Sequence, residues 1–167
     1  RDFPFLPEKP GLYIVRGPRQ VGKSCWLKTV LSHYARKTPS FYLSCENVSD
    51  NRELAEILKS VRSRRVVLLD EVNFVKDWDH AVKHEVDSGH THILMVTGSH
   101  AYDLKRGADR MPGRFEGGGE CSLLPMDFEE FTASPSHLHA GRSGPTGIKR
   151  IIPSRAPLPG SAGSLPG

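Results

Sequence analysis

Gly17-Pro18-Arg19-Gln20-Val21-Gly22-Lys23-Ser24 is the stretch that decides how this 167-residue chain folds. Its spacing is G-x-x-x-x-G-K-S, and its flanks give that spacing a structural meaning. Before it, Leu12-Tyr13-Ile14-Val15-Arg16 is a short apolar run ending at a glycine, which reads as a strand. After it, apolar Trp26, Leu27, Val30, Leu31 and Tyr34 recur at helical spacing from Gly22 to about Arg36, and Pro39 follows as a stop. A glycine-rich loop between strand and helix lets the backbone close around a phosphate group. Its successive N–H groups form an anion-binding nest at the helix N-terminus.

In that setting the octet reads as a P-loop for the phosphates of ATP. Lys23 reaches the β- and γ-phosphates, and the Ser24 hydroxyl ligates Mg²⁺. Cys25 follows on the same helix, beside the nucleotide segment, as a small residue expected to be buried. The competing reading of the octet is a plain glycine turn.

Further along, strands and helices alternate. Phe41-Tyr42-Leu43-Ser44 reads as a strand. Asp50 to about Arg62 reads as a helix with Leu54, Ile57, Leu58 and Val61 on one face, capped by Ser49 or Asp50, with Glu53 placed as in a capping box. Val66-Val67-Leu68-Leu69 is continuously apolar, as a strand covered on both faces would be. Asp77 to about Ser88 is a third helix, Ile93-Leu94-Met95-Val96-Thr97 a fourth strand, and a short helix follows near Tyr102 and Leu104. Glu120-Cys121-Ser122-Leu123-Leu124 is a fifth strand. This alternation implies an α/β fold, a mostly parallel sheet in three layers with helices on both faces.

The third strand delivers Asp70 and Glu71 to the C-terminal edge of the sheet, where ligands of open α/β sheets bind. Asp70 stands as the Walker B residue that holds Mg²⁺, and Glu71 as the group that polarises water for attack on the γ-phosphate. The alternative is two solvated residues ending a strand. Their position 47 residues after Lys23, with room for helix, strand, helix and strand between, favours the first reading. Thr97 and Ser99 end the fourth strand, where a polar sensor of the γ-phosphate is expected; a capping hydroxyl for the next helix is the other reading. Arg114, in a loop with Gly113, Gly117, Gly118 and Gly119, is a candidate arginine finger or sensor, or else a salt-bridge or solvated loop residue. His80 and His84 share a helix face, but no third metal ligand follows at an informative spacing.

These motifs also carry a resemblance. The octet, Leu69-Asp70-Glu71-Val72 with Trp78 soon after, Val96-Thr97-Gly98-Ser99, and Gly113-Arg114-Phe115 leading to Leu123-Leu124-Pro125-Met126-Asp127-Phe128-Glu129-Glu130-Phe131 together resemble a prokaryotic AAA+-like P-loop ATPase family over about residues 10–132. The resemblance implies strand order 5-1-4-3-2, bound ATP and Mg²⁺, and a C-terminal output domain after the ATPase core. The sequence departs from the family in two respects: Ser24 stands where Thr is frequent, and nothing after Phe131 resembles a helical lid or that output domain. The expected activity is Mg-dependent ATP hydrolysis. The alternative is a nucleotide-binding module or truncated ATPase with little turnover, because lid and partner arginine are absent. A small-metabolite kinase fits less well, since such kinases usually lack a glutamate directly after the Walker B aspartate.

Composition narrows the rest. Four of the 23 basic residues (Arg142, Lys149, Arg150 and Arg155) lie in a tail, residues 133–167, that has no acidic residue, so the remaining 19 balance the 19 acidic ones in residues 1–132. The net charge of +4 therefore belongs to the tail and specifies no nucleic-acid-binding face. In the tail 18 of 35 residues are Gly, Pro or Ser, too lean in apolar surface to offset backbone ordering, so disorder is expected there. The division is thus an ATPase core at 1–132 and a tail at 133–167. No apolar run reaches the roughly 18 residues of a membrane span, and three scattered cysteines suit a reduced, cytoplasmic setting. Partners beyond ATP are a second copy of the chain or the missing C-terminal output domain. Trimming the chain near Ala133 is expected to leave nucleotide binding and hydrolysis unchanged, with the tail digested first in limited proteolysis. Lost nucleotide affinity after trimming would instead make the tail part of the site.

Overall fold

The computed structural model describes residues 5–111, 113, 115 and 117–129. The elements run β1 (Gly11–Arg16), α1 (Lys23–Tyr34), β2 (Ser40–Ser44), α2 (Asn51–Ser60), β3 (Val66–Asp70), α3 (Trp78–Ser88), β4 (Ile93–Gly98), α4 (Ala101–Asp109) and β5 (Gly119–Ser122). All five strands are parallel in the order β2-β3-β4-β1-β5, which is the expected 5-1-4-3-2 read from the other edge. Arg114 and residues 130–167, and so the arginine candidate and the tail, lie outside the described residues.

Strand parity divides the core. Leu12 and Ile14 of β1, Val67 and Leu69 of β3, and Leu94 and Val96 of β4 face α2, α3 and α4 in one apolar cluster. Tyr13 and Val15, Val66 and Leu68, and Ile93 and Met95 face Trp26, Leu27 and Val30 of α1 in the other. Every residue of β3 and β4 is buried, as continuous apolar runs in a doubly covered parallel sheet require. The same parity turns Asp70, Thr97 and Tyr42 toward the α1 side, the side on which the P-loop lies.

Local signals set the helix ends. Asp50 caps α2, its Oδ1 accepting from the Arg52 and Glu53 N–H groups at 2.9 and 3.0 Å. Glu53 reaches one residue further back than a standard capping box and accepts from the Ser49 N–H at 2.7 Å. The expectation that Cys25 is buried fails: Cys25 is exposed. The buried stripe of α1 is Lys23, Trp26, Leu27 and Val30. Cys25 shares the outer face with Thr29, four residues on, whose hydroxyl donates to the Cys25 carbonyl at 3.0 Å.

Helix α4 is held against α3 by Trp78. A Cβ at Gly107 would sit 2.3 Å from Trp78 Cζ2, so only glycine lets the indole lie against this helix. Arg110, just past α4, donates to the buried Asp79 carboxylate at 3.2 Å. Helix propensity alone favours alanine at position 107 by about 1 kcal/mol. Overpacking against a rigid buried indole outweighs it, so Gly107→Ala is expected to lower unfolding stability by about 1–3 kcal/mol. Thermal or denaturant unfolding checks the sign; a stabilised variant would mean that the indole has room to move.

Candidate functional site

Of helices α1 to α4 only α2 has a side-chain cap, and only α1 lacks an acidic residue in its first turn. At α2 the protein itself supplies the cap through Asp50 and Glu53. At α1 the N-cap is Gly22 in the left-handed region (φ 98°), with no side-chain cap and no acidic residue in the first turn. The orphan N–H groups and the positive end of the helix dipole there are free to meet an external anion. Gly17 opens the loop with its Cα packed against the sheet: a Cβ there would lie 2.3 Å from the Leu123 carbonyl oxygen. Pro18, Arg19 and Gln20 are exposed on the loop, whereas Val21 folds into the α1-side core. Gln20 is left-handed (φ 63°), which completes the turn back toward α1.

Lys23 is 4% exposed, and its ammonium group is hydrogen-bonded throughout. It donates to the carbonyls of Gly17 and Pro18 at 3.0 and 2.8 Å and to Ser99 Oγ at 3.0 Å. Glu71 Oε1 lies 3.7 Å from the same nitrogen. Three donors thus meet three acceptors, which is what permits a lysine to be buried. Ser24 is half-buried on the first turn of α1.

The carboxylates are organised from the neighbouring strands. Asp70 is 3% exposed; its Oδ1 accepts from the Thr97 hydroxyl of β4 and its Oδ2 from the Tyr42 phenol of β2 at 2.9 Å. Thr97 is fully buried, and its hydroxyl also accepts from the Glu71 N–H at 3.1 Å. Glu71 itself is left-handed (φ 54°, ψ 47°), a conformation that costs a residue with a Cβ of order 1 kcal/mol and recurs at functional sites. The left-handed turn breaks strand parity and swings the carboxylate toward β4. There Ser99 donates to it twice, from Oγ to Oε1 at 2.6 Å and from N–H to Oε2 at 3.1 Å. The Ser99 N–H also reaches Asn73 Oδ1 at 3.0 Å.

Lys23, Asp70, Glu71, Thr97 and Ser99, far apart in sequence, therefore meet at the C-terminal edge of β1, β3 and β4. Thr97 touches Asp70 and the Glu71 backbone, while Ser99 bridges Lys23 and Glu71. Sequence reasoning missed two members, Tyr42 and Asn73. A tyrosine in a strand and an asparagine after an acidic pair carry no local signal of what they touch. Among the described residues no group of three or more His, Cys, Asp or Glu side chains converges, which leaves His80 and His84 without a metal cluster.

Comparison with known proteins bears on the family and the fold. Residues 9–132 match the family described as AAA domain. A 138-residue stretch is 26% identical to an uncharacterized protein of Methanocaldococcus jannaschii, covering 78% of this chain and 30% of that protein. Among solved structures, the RuvB Holliday junction branch migration motor of Thermotoga maritima aligns with TM-score 0.52 and 17% identity, over 78% of this chain and 44% of that one. AMPPCP-bound DnaA from Aquifex aeolicus aligns with TM-score 0.51 and 19% identity, over 74% of this chain and 42% of that one. At such identities the two structures speak for the fold alone. The chain spans less than half the length of each of these three proteins.

The thiols offer a direct check on how α1 is turned at the site. Burial pushes Cys45 up to about 12 and Cys121 up to about 11, so both stay protonated and enclosed near neutral pH. Cys25 is exposed. Titration of the native chain with a thiol reagent at about pH 8 should modify one cysteine quickly, and unfolding should release the other two. A slow Cys25 would show that α1 presents another face to solvent.

Proposed function

The chain belongs to the AAA domain family of nucleotide-binding P-loop ATPases, and on that premise we propose that its core binds Mg·ATP and hydrolyses it with a water polarised by Glu71. The observation that carries this reading is the convergence of Lys23, Glu71 and Ser99, the ammonium lying 3.0 Å from Ser99 Oγ and 3.7 Å from Glu71 Oε1. A buried cation, a carboxylate and a hydroxyl meet there beside an uncapped helix N-terminus.

Each residue then has a task. Gly17 to Cys25 wrap the phosphates, with backbone N–H groups at positions other than Pro18. Lys23 exchanges the Gly17 and Pro18 carbonyls for β- and γ-phosphate oxygens. Ser24 and Asp70 would hold Mg²⁺, and the fit is chemical: a hydroxyl and a carboxylate are the hard oxygen donors this ion takes. Asp70 retains lone pairs beyond those used by Thr97 and Tyr42, since a carboxylate offers about four acceptor sites. When bound, the ion would neutralise charge on the β- and γ-phosphate oxygens. Thr97 holds Asp70 and the Glu71 backbone in place. Ser99 is the side chain set to meet the γ-phosphate, and Glu71 is the base. Arg114 remains the candidate for charge stabilisation in the transition state.

One observation favours the low-turnover alternative. Both oxygens of Glu71 already accept from Ser99, so only their remaining lone pairs are open to a water. An arginine that stabilises the transferring phosphoryl group is worth about 10³–10⁵ in rate. A core that depends on a neighbouring copy for that residue binds Mg·ATP and turns it over slowly. A second copy of the chain, or a C-terminal output domain, is the partner this reading calls for. Among the described residues no helix is long and apolar enough to cross a membrane, and a cytoplasmic setting is part of the proposal.

Lys23→Ala is expected to weaken Mg·ATP binding at least tenfold, or about 1.4 kcal/mol. Glu71→Gln keeps the shape and removes the base, so it should retain nucleotide and lose phosphate release. Calorimetric binding and a phosphate-release assay separate the two. Undiminished affinity in a folded Lys23→Ala chain would remove the phosphate assignment, and parental hydrolysis by Glu71→Gln would remove the water-polarising role.

A further inference from the structure

Asp70 ends a central strand, so its carboxylate has a neighbour on each side. From β4 comes the Thr97 hydroxyl, which donates to Oδ1. From β2 comes the Tyr42 phenol, which donates to Oδ2 at 2.9 Å. The two contacts differ in reach. In the parallel register Tyr42 pairs with Leu68 and Ser44 pairs with Asp70. The tyrosine therefore lies two positions short of the aspartate and spans that distance with the length of its ring. Strand parity puts Tyr42 on the α1 side with Asp70, and the ring packs against the α1-side core. The hydroxyl thus arrives on a body already held by apolar contacts.

A carboxylate on its own rotates broadly about its last torsion. With one donor on each oxygen, from opposite sides, that rotation is fixed and the remaining lone pairs point in set directions. Hydrogen-bond partners of metal-holding carboxylates commonly carry about 10–100-fold in metal affinity or activity.

We propose that Tyr42 is a positioning residue for the metal carboxylate, its phenol holding Asp70 from β2 as Thr97 does from β4, so that the pair sets how tightly the core keeps the divalent cation of a bound nucleotide. The inference rests on the reading of Asp70 as a Mg²⁺ residue. The tyrosine itself touches neither nucleotide nor metal; it acts through the aspartate.

Tyr42→Phe in the full chain keeps the ring and removes the hydroxyl. Two affinities are measured: a fluorescent ATP in EDTA, and Mn²⁺ for the nucleotide-bound chain, the latter by loss of the free-ion spin-resonance signal. Tyr42→Phe is expected to weaken Mn²⁺ binding about tenfold while leaving metal-free nucleotide affinity within about twofold. The Mg²⁺ concentration for half-maximal hydrolysis should rise in step, with the rate recovering at high Mg²⁺. Unchanged Mn²⁺ affinity in the variant overturns the proposal. An equal loss of metal-free nucleotide binding also overturns it, because the tyrosine would then be a general support of the site. Should Tyr42→Phe fail to fold, fluorotyrosine at that position in the otherwise unaltered chain gives the answer. Its fluorine resonance is expected to move when Mg²⁺ is added to the nucleotide-bound protein, and a silent resonance overturns the proposal. Asp70→Asn isolates the underlying reading: if the parent chain holds Mn²⁺ no better than this variant does, the metal assignment of Asp70 falls, and the role of Tyr42 falls with it.

Discussion

Parallel pairing of β4 with β1 on one side and β3 on the other is the contact on which the site depends. Val15 lies in register with Thr97, and Leu69 with Val96. The three strands end at one level, so the loop after β1, the acidic pair after β3 and the hydroxyls ending β4 open onto the same edge. Without β4 between them, Lys23 and Glu71 would have no Ser99 to bridge them, and Asp70 would lose the Thr97 hydroxyl. The pairing is itself maintained by burial. β3 and β4 are covered on both faces, by α1 on one side and by α2, α3 and α4 on the other.

Charge at this edge is tolerated because it is hydrogen-bonded. Lys23 and Asp70 are among the most buried ionisable groups described, and each is bonded by neutral groups rather than by the other. The ammonium uses two loop carbonyls and a hydroxyl; the aspartate uses two hydroxyls. Neutral partners can be exchanged for phosphate oxygens or a cation at lower cost than a buried ion pair could be broken. Glu71 differs: it is less buried and left-handed, and it lies within reach of the Lys23 charge.

Most of the fold was legible in the sequence because its signals are local. Apolar periodicity placed four helices and five strands within a few residues of where they stand, and the P-loop octet between a strand and a helix marked the candidate site. The errors were local too. Glu53 reaches back to Ser49 rather than to Asp50, and Cys25 turns outward because the stripe of Lys23, Trp26, Leu27 and Val30 leaves no inward place for it. The strand order followed from resemblance to a family, since helix-strand alternation alone does not say which strand lies beside which.

The sequence by itself thus determined the glycine-rich loop with its lysine, the acidic pair and the elements that carry them, through glycine spacing and hydrophobic period. Only the tertiary structure decided which hydroxyl serves which carboxylate. Thr97 and Ser99 stand two residues apart on similar chemical terms, yet the left-handed turn at Glu71 leaves one with Asp70 and gives the other to Glu71. Tyr42, 28 residues before Asp70, joins them only because β2 pairs with β3. Such contacts depend on register between strands distant in sequence, and register is fixed when the whole sheet buries its faces, a condition that no short stretch of residues can express.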